Sequence, residues 1–278
     1  MSDVEFEESW NSWHEARLRT VTAPHGIAAL VATHWLSAEP QQLEGLEGSW
    51  RLDDGAIVGD DFTIDEGGET LVGGLLLRHF RRDDDVALRV LDPEAASRAS
   101  VVGIDAYPAD EAWALRGRFH PAEADATVEM NLVDGYVESS KLAGTIALEV
   151  GGREVELVAT GDASGMLVVF GDTTNGDETY RFRFLRLRAD AGGGEIEVDF
   201  NRAFLPPCAF ADFYVCPFPP PQNRLDVPVR AGEKAVVRRS AGEGGAGAGG
   251  AVAGSADGGG AAAGSAVGGG AAAGSAVA

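Results

Sequence analysis

Beyond residue 26 the apolar positions fall in short runs, some alternating with polar residues and some continuous, each closed by turn residues. Runs that read as strands lie at 27–36, 49–52, 62–64, 70–80, 86–91, 101–107, 113–119, 127–132, 144–150, 154–160, 166–170, 179–187, 195–200 and 236–238. Between them stand Asp54-Gly55, Gly67-Gly68, Asp83-Asp84-Asp85, Asp134-Gly135 and Asn175-Gly176, residue types that take positive φ or bond their own backbone in tight turns. Gly151-Gly152, set between apolar runs, predicts a two-residue hairpin. With no long helical stretches interposed, this pattern predicts an all-β fold, an antiparallel β-sandwich or barrel. One α-helix is expected ahead of it, at 3–22. Ser2 or Asp3 can cap that helix, and Glu5, Glu7 and Glu8 sit near the first turn, where the macrodipole favours anions. Phe6, Trp10 and Trp13 recur at helical spacing and are expected to pack on the core as a lid, and Ala23-Pro24-His25-Gly26 ends the run.

Composition divides the chain. Residues 1–239 are expected to form a single mainly-β domain; any seam would fall in 92–112, where prolines and small residues gather. Residues 240–278 are almost only Gly, Ala, Ser and Val, with one decad repeated at 258–267 and 268–277. Nothing there can bury enough apolar surface to offset the entropy of ordering, so a disordered tail is expected. Seven of the twelve prolines fall in 199–234, which predicts a stiff Pro-rich C-terminal wrap.

Charge narrows the partners. Acidic residues outnumber basic ones 44 to 22, for a net charge of -22, and Lys141 and Lys234 are the only lysines. A field of that sign repels phosphate backbones and anionic lipid, so neither nucleic acid nor a membrane is expected as a partner. The balance fits the halophile-like acidic proteome of a salt-loading cytoplasm; a high-GC gene that favours Arg over Lys gives it too. The first residues are acidic where a signal peptide would be basic and then apolar, so a cytoplasmic protein is expected.

The densest basic feature is 180–188, with Arg181, Arg183, Arg186 and Arg188. A β-bulge near 184–185 would keep all four on one face. They can hold an anionic ligand, or they can pair with Glu195, Glu197 and Asp199 if the Gly-rich loop 189–194 makes the two runs a hairpin. Continued alternation from Ile196, Val198 and Phe200 would turn Arg202 toward the core, where it requires a carboxylate or serves as a ligand anchor. Cys208 and Cys216 can be buried thiols, a disulfide or a reactive thiol. No His follows His120, so the zinc pattern is absent; no metal is expected, and no cofactor fingerprint occurs.

Asp199-Phe200-Asn201-Arg202-Ala203-Phe204, Pro206-Pro207-Cys208-Ala209-Phe210, Cys216-Pro217, Asn223-Arg224-Leu225 and Gly232-Glu233-Lys234 resemble the C-terminal signature of a prokaryotic family known as domain of unknown function 1684. Asp172-Thr173-Thr174-Asn175-Gly176, Thr179-Tyr180 and Arg183-Phe184-Leu185 are similar to its upstream elements, and the resemblance runs over about 10–236. It implies a mainly β fold and carries no activity. The candidate site is Asp172, Tyr180, Arg183, Asn201 and Arg202, expected to converge on a small anionic molecule. One alternative is a hydrolase that uses Asp172 as base with Arg183 or Arg202 as oxyanion stabiliser; another is a structural or interaction module without a small-molecule site.

Overall fold

The computed structural model of the chain describes residues 2–239; the tail expected at 240–278 lies outside the described residues. The helix spans Asp3–Val21 and begins in a reciprocal cap. Ser2 Oγ accepts the Glu5 N–H at 3.3 Å, and the Glu5 carboxylate accepts the Ser2 N–H at 2.8 Å. The helix buries Phe6 and Val21, and Trp10 and Arg17 tie it down through long-range bonds. None of the helices is long and apolar enough to cross a membrane, among the described residues.

Nearly everything else is antiparallel β. The large sheet orders its strands Arg183–Leu187, Gly165–Phe170, Arg153–Asp162, Val137–Val150, Ala114–Pro121 and Gly194–Asp199. Thr127–Asn131 pairs with the first part of Val137–Val150. That long strand bends where its register slips between Leu142 and Gly144. Gly144 holds φ at +153°, and a Cβ there would lie 2.2 Å from the His120 carbonyl oxygen, so only glycine lets the strands approach. The predicted hairpin at Gly151-Gly152 is present, with φ of +58° and +79° at the two turn residues.

The two edge strands, Arg183–Leu187 and Gly194–Asp199, are joined by the short segment 188–193. In a flat six-stranded sheet those edges would stand about 24 Å apart, five spacings of the usual strand separation. The joining segment turns on itself, with Gly193 N–H bonded to Asp190 O at 2.9 Å, so it spans less than a taut chain would. The sheet therefore curls into a half-barrel. Ile146, Leu157, Val168, Phe170, Leu185 and Val198 line its concave side, and Leu225, Val227 and Val229 of the Pro-rich wrap fill it.

Asn223 fastens that wrap. Strands Arg153–Asp162 and Gly165–Phe170 pair only beside their shared turn, at Thr160–Asp162 with Gly165–Leu167. Beyond it they part, and the fully buried Asn223 amide bridges the gap. It accepts the Val158 N–H at 2.7 Å and donates to the carbonyls of Val158 and Val169, both at 2.8 Å. A side-chain amide thus stands in for missing ladder bonds.

A smaller sheet orders Leu30–Trp35, Asp85–Leu91, Leu75–Arg82 and Glu69–Val72. The meander Arg51–Asp53, Ala56–Val58, Thr63–Ile64 covers it with Trp50, Ile57 and Ile64. Val101–Ala106 pairs separately with Glu233–Arg238.

Two expectations need correcting. The arginine row is not one face: the strand begins at Arg183 and pairs with Gly165–Phe170 without a bulge. Arg183, Leu185 and Leu187 consequently face the core, while Arg181, Arg186 and Arg188 are exposed. Nor do runs 180–188 and 195–199 form a hairpin. Gly194–Asp199 pairs with Ala114–Pro121 and sets Glu195 opposite Arg118 and Glu197 opposite Arg116. The acidic residues do stand opposite arginines in register, but those of another strand, because the loop leads across the mouth of the half-barrel.

Candidate functional site

Asp172 and Arg183 come together in the core. Asp172 opens the turn after Gly165–Phe170, and its Oδ1 accepts from Thr174 N–H at 2.9 Å and Thr174 Oγ1 at 2.6 Å. Asn175 holds the turn from the other side, accepting the Asp172 N–H at 2.6 Å and donating to Thr179 Oγ1 and the Tyr180 carbonyl, both at 2.9 Å. Arg183 reaches in from the edge strand, and its Nη2 donates to Asp172 Oδ2 at 2.8 Å. Both side chains are fully enclosed. The guanidinium also donates to the carbonyls of Val229 and Ala231, and the Val229 N–H bonds Asp172 Oδ1 at 3.2 Å. The pair thus clamps the wrap to the sheet, and both carboxylate oxygens are occupied. These bonds offset most of the cost of burying the ion pair, although the Arg183 Nε–H is sealed without a partner.

The other three predicted residues lie elsewhere. Asn201 and Arg202 follow Asp199, whose Oδ1 accepts the Asn201 N–H at 3.0 Å and so starts a single 3-10 turn. Asn201 is buried and exchanges two bonds of 2.9 Å with the Asp110 backbone; its carbonyl accepts Trp10 Nε1–H at 2.9 Å. Arg202 does not turn inward. The 3-10 turn ends the alternation, and the guanidinium emerges beside the helix, on Ser9 Oγ at 2.8 Å and Asp199 Oδ2 at 3.3 Å. Tyr180 donates to the Cys208 carbonyl at 3.2 Å. Cys208 and Cys216 are both free thiols, with Cys208 N–H to Cys216 Sγ at 3.4 Å. Burial raises the Cys216 pKa well above a thiol's ordinary value; a hydrogen bond from Cys216 lowers that of Cys208.

One buried tie was not legible. Arg17 Nε meets Glu233 Oε1 at 3.1 Å across 216 residues of sequence, and Glu233 Oε2 also accepts the Leu205 N–H at 2.7 Å. Nothing local marks such a partner.

A cleft of about 620 Å3 lies on the convex side of the large sheet. Phe184, Leu167, Met130 and Leu132 give it apolar walls, residues 214–217 of the wrap close one side, and Phe80, Arg82 and Arg89 of the smaller sheet face them. Five cations line it. Arg82 is neutralised by Asp134 at 2.7 Å. Arg89, Arg186, Arg188 and Lys141 have no carboxylate partner and no side-chain hydrogen bond among the described residues. Arg89 lies over the Phe80 ring at 3.5 Å and within 5.1 Å of the Tyr214 ring, its Nε sealed and unbonded. Burial, ahead of repulsion from Arg78, pulls its pKa down to about 10; Arg186 is lowered first by burial and then by Arg17. Glu138, the sole carboxylate lining the cleft among the described residues, accepts from Ser140 Oγ at 2.6 Å. Arg89 interrupts the apolar run Val86-Ala87-Leu88-Arg89-Val90-Leu91, the one sequence signal that marked it. A recess of about 360 Å3 touches the 171–175 turn and carries Arg181 and Arg224.

Comparison with known proteins adds a family. A structure solved in solution by NMR, of an uncharacterized protein from Haloarcula marismortui, is 27% identical over 51% of this chain and 78% of its own length, with a TM-score of 0.41. None of the curated proteins matches. Residues 99–234 match the family model described as "Protein of unknown function (DUF1684)", a span that holds the wrap, the Asp172–Arg183 pair and the convex wall of the cleft but not Arg89. That part of the chain, 99–234, belongs to the DUF1684 family.

Proposed function

We propose that the protein binds a small anionic molecule with an apolar body in the cleft between the convex face of the large sheet and the smaller sheet. One observation carries this reading. Arg89 and Arg186 come from different sheets into one half-enclosed space and, among the described residues, pair with no carboxylate, in a chain where acids outnumber bases 44 to 22. Arg89 is partly withdrawn from water with no partner, which costs free energy, and Arg186 is exposed in the same cleft, so an incoming carboxylate or phosphate supplies the missing partner in bidentate form. Phe184, Met130, Leu132 and Leu167 suit the apolar body, with methionine adapting to its shape.

The Asp172–Arg183 pair supports this site from behind. Arg183 shares the strand Arg183–Leu187 with Arg186, so the clamp on Asp172 sets where Arg186 emerges. The two unbridged thiols support a reducing, cytoplasmic setting.

Octanoate, octanol and octylamine separate charge from apolar contact. Octanoate is expected to raise the melting temperature of the full chain, and the other two to do so far less. Arg186→Gln should weaken octanoate binding roughly 10-fold or more, the scale of one lost charge-assisted hydrogen bond. Equal shifts from octanol and octanoate, or unchanged octanoate affinity in Arg186→Gln, would refute the reading.

A further inference from the structure

We infer that the natural occupant of this cleft is a short extended peptide with a carboxylate, which adds as a strand to the open edge at Arg186. The inference rests on the anion-binding reading above and names the class of anion.

The edge is open for a stated reason. Phe184 and Phe204 exchange two backbone bonds of 2.9 and 2.8 Å, so the Phe184 N–H and C=O point out of the sheet. Direction alternates along a strand, so the N–H and C=O of Arg186 point the same way. The segment that occupies the edge at Phe204 does not continue beside it. Leu205 N–H turns to the Glu233 carboxylate at 2.7 Å, and Pro206 and Pro207 have no N–H to donate. Among the described residues the outward backbone groups of Arg186 have no backbone partner.

The cleft meets that edge. Arg186, Leu187 and Arg188 all line it although consecutive side chains alternate between faces, so the cleft, which lies over the convex face, extends to the strand's rim. An exposed rim with unpaired backbone groups is a template for strand addition, with main-chain bonds supplying affinity and flanking pockets supplying selectivity. A peptide seated there would lay side chains toward Phe184 and Met130 and direct its carboxylate to Arg89, Arg186, Arg188 or Lys141. A simple lipid-like anion uses the cations and leaves the backbone groups unmet. A peptide satisfies both.

The test uses the full chain and three probes. The first is a pool of acetylated tetrapeptides randomised over apolar residues with a free carboxylate; the second is the same pool amidated; the third is octanoate. Binding is read by calorimetry, and amide hydrogen exchange is followed at Arg186. The acid pool is expected to bind at least tenfold more tightly than the amidated pool and to slow exchange at Arg186 at least tenfold. Octanoate is expected to bind and leave that amide unchanged. Octanoate binding without peptide binding overturns the peptide inference and leaves the cleft reading standing, as does peptide binding with unaltered Arg186 exchange. If no probe binds, both fall.

Discussion

Arg183 and Asp172 are both sealed from solvent, so removing the guanidinium leaves a carboxylate with no water to turn to. Arg183→Met is expected to destabilise the fold by roughly 3–5 kcal/mol, the usual range for orphaning one member of a buried ion pair. Asp172→Asn with Arg183→Met removes the stranded charge and should recover part of that loss, because the Asn keeps a carbonyl oxygen for Thr174 and Val229. Urea denaturation of the two variants decides the matter. A double variant no more stable than the single one means the clamp works through shape and carbonyl contacts, not through charge. Arg89 lies at the other extreme, a guanidinium held between the Phe80 and Tyr214 rings with no carboxylate partner among the described residues. The two arginines look alike in sequence, each flanked by apolar residues within a strand, and only their surroundings separate a structural one from a candidate binder.

Elements are joined here by polar ties as much as by strand pairing. Glu178, in the turn after Asp172, accepts the Tyr107 hydroxyl at 2.7 Å from the end of Val101–Ala106 and Arg230 Nη2 at 2.6 Å from the wrap. The Arg230 bond first and the Tyr107 bond second pull the Glu178 pKa down to about 2 from an ordinary 4.5. A depressed folded-state pKa means stability that is present above the unfolded value and lost as pH falls through the folded one. Wild-type protein is therefore expected to exceed Glu178→Gln in stability at pH 6, with the gap closing between pH 4.5 and about 2. A gap that stays constant across that window would show that ionisation of Glu178 contributes nothing. The element scale also shows what was legible beforehand. The helix and the Gly151-Gly152 hairpin were, because capping residues, glycine torsions and apolar spacing are local. The partner of Gly194–Asp199 was not, since alternation fixes which face a side chain takes and leaves open which strand lies beside it. The amide of Asn223 between two parting strands, and Arg17 on Glu233, belong with that failure: each is a contact between segments distant in sequence. Of the five predicted site residues, Asp172 and Arg183 do come together, but they were expected to meet at a ligand, and their pairing with each other was not legible. Nor was the cleft, because Arg89 and Arg186 meet only after two sheets are packed.

For the whole molecule, charge is the dominant long-range term. A net charge of -22 on one chain is self-repulsive in the compact state, which brings carboxylates closer than the unfolded chain does. The ion pairs relieve this only locally, and many are exposed and weak, such as Arg19 with Glu15 at 3.6 Å. Screening should therefore stabilise the fold. The Debye length falls from about 30 Å at 0.01 M salt to about 3 Å at 1 M, so repulsion between distant carboxylates is largely removed over that range. The buried Asp172–Arg183 and Arg17–Glu233 pairs are screened far less, being shielded from ions by the surrounding chain. The melting temperature is expected to rise by several degrees from 0.01 to 1 M KCl. Most of that rise should be complete by about 0.2 M, where the screening length is already shorter than typical surface charge separations. Tetramethylammonium chloride distinguishes screening from site-specific potassium binding, since it screens equally and coordinates nothing. A rise with potassium alone would point to bound ions, and a flat or falling curve would mean that the unfolded chain carries its repulsion as heavily as the folded one.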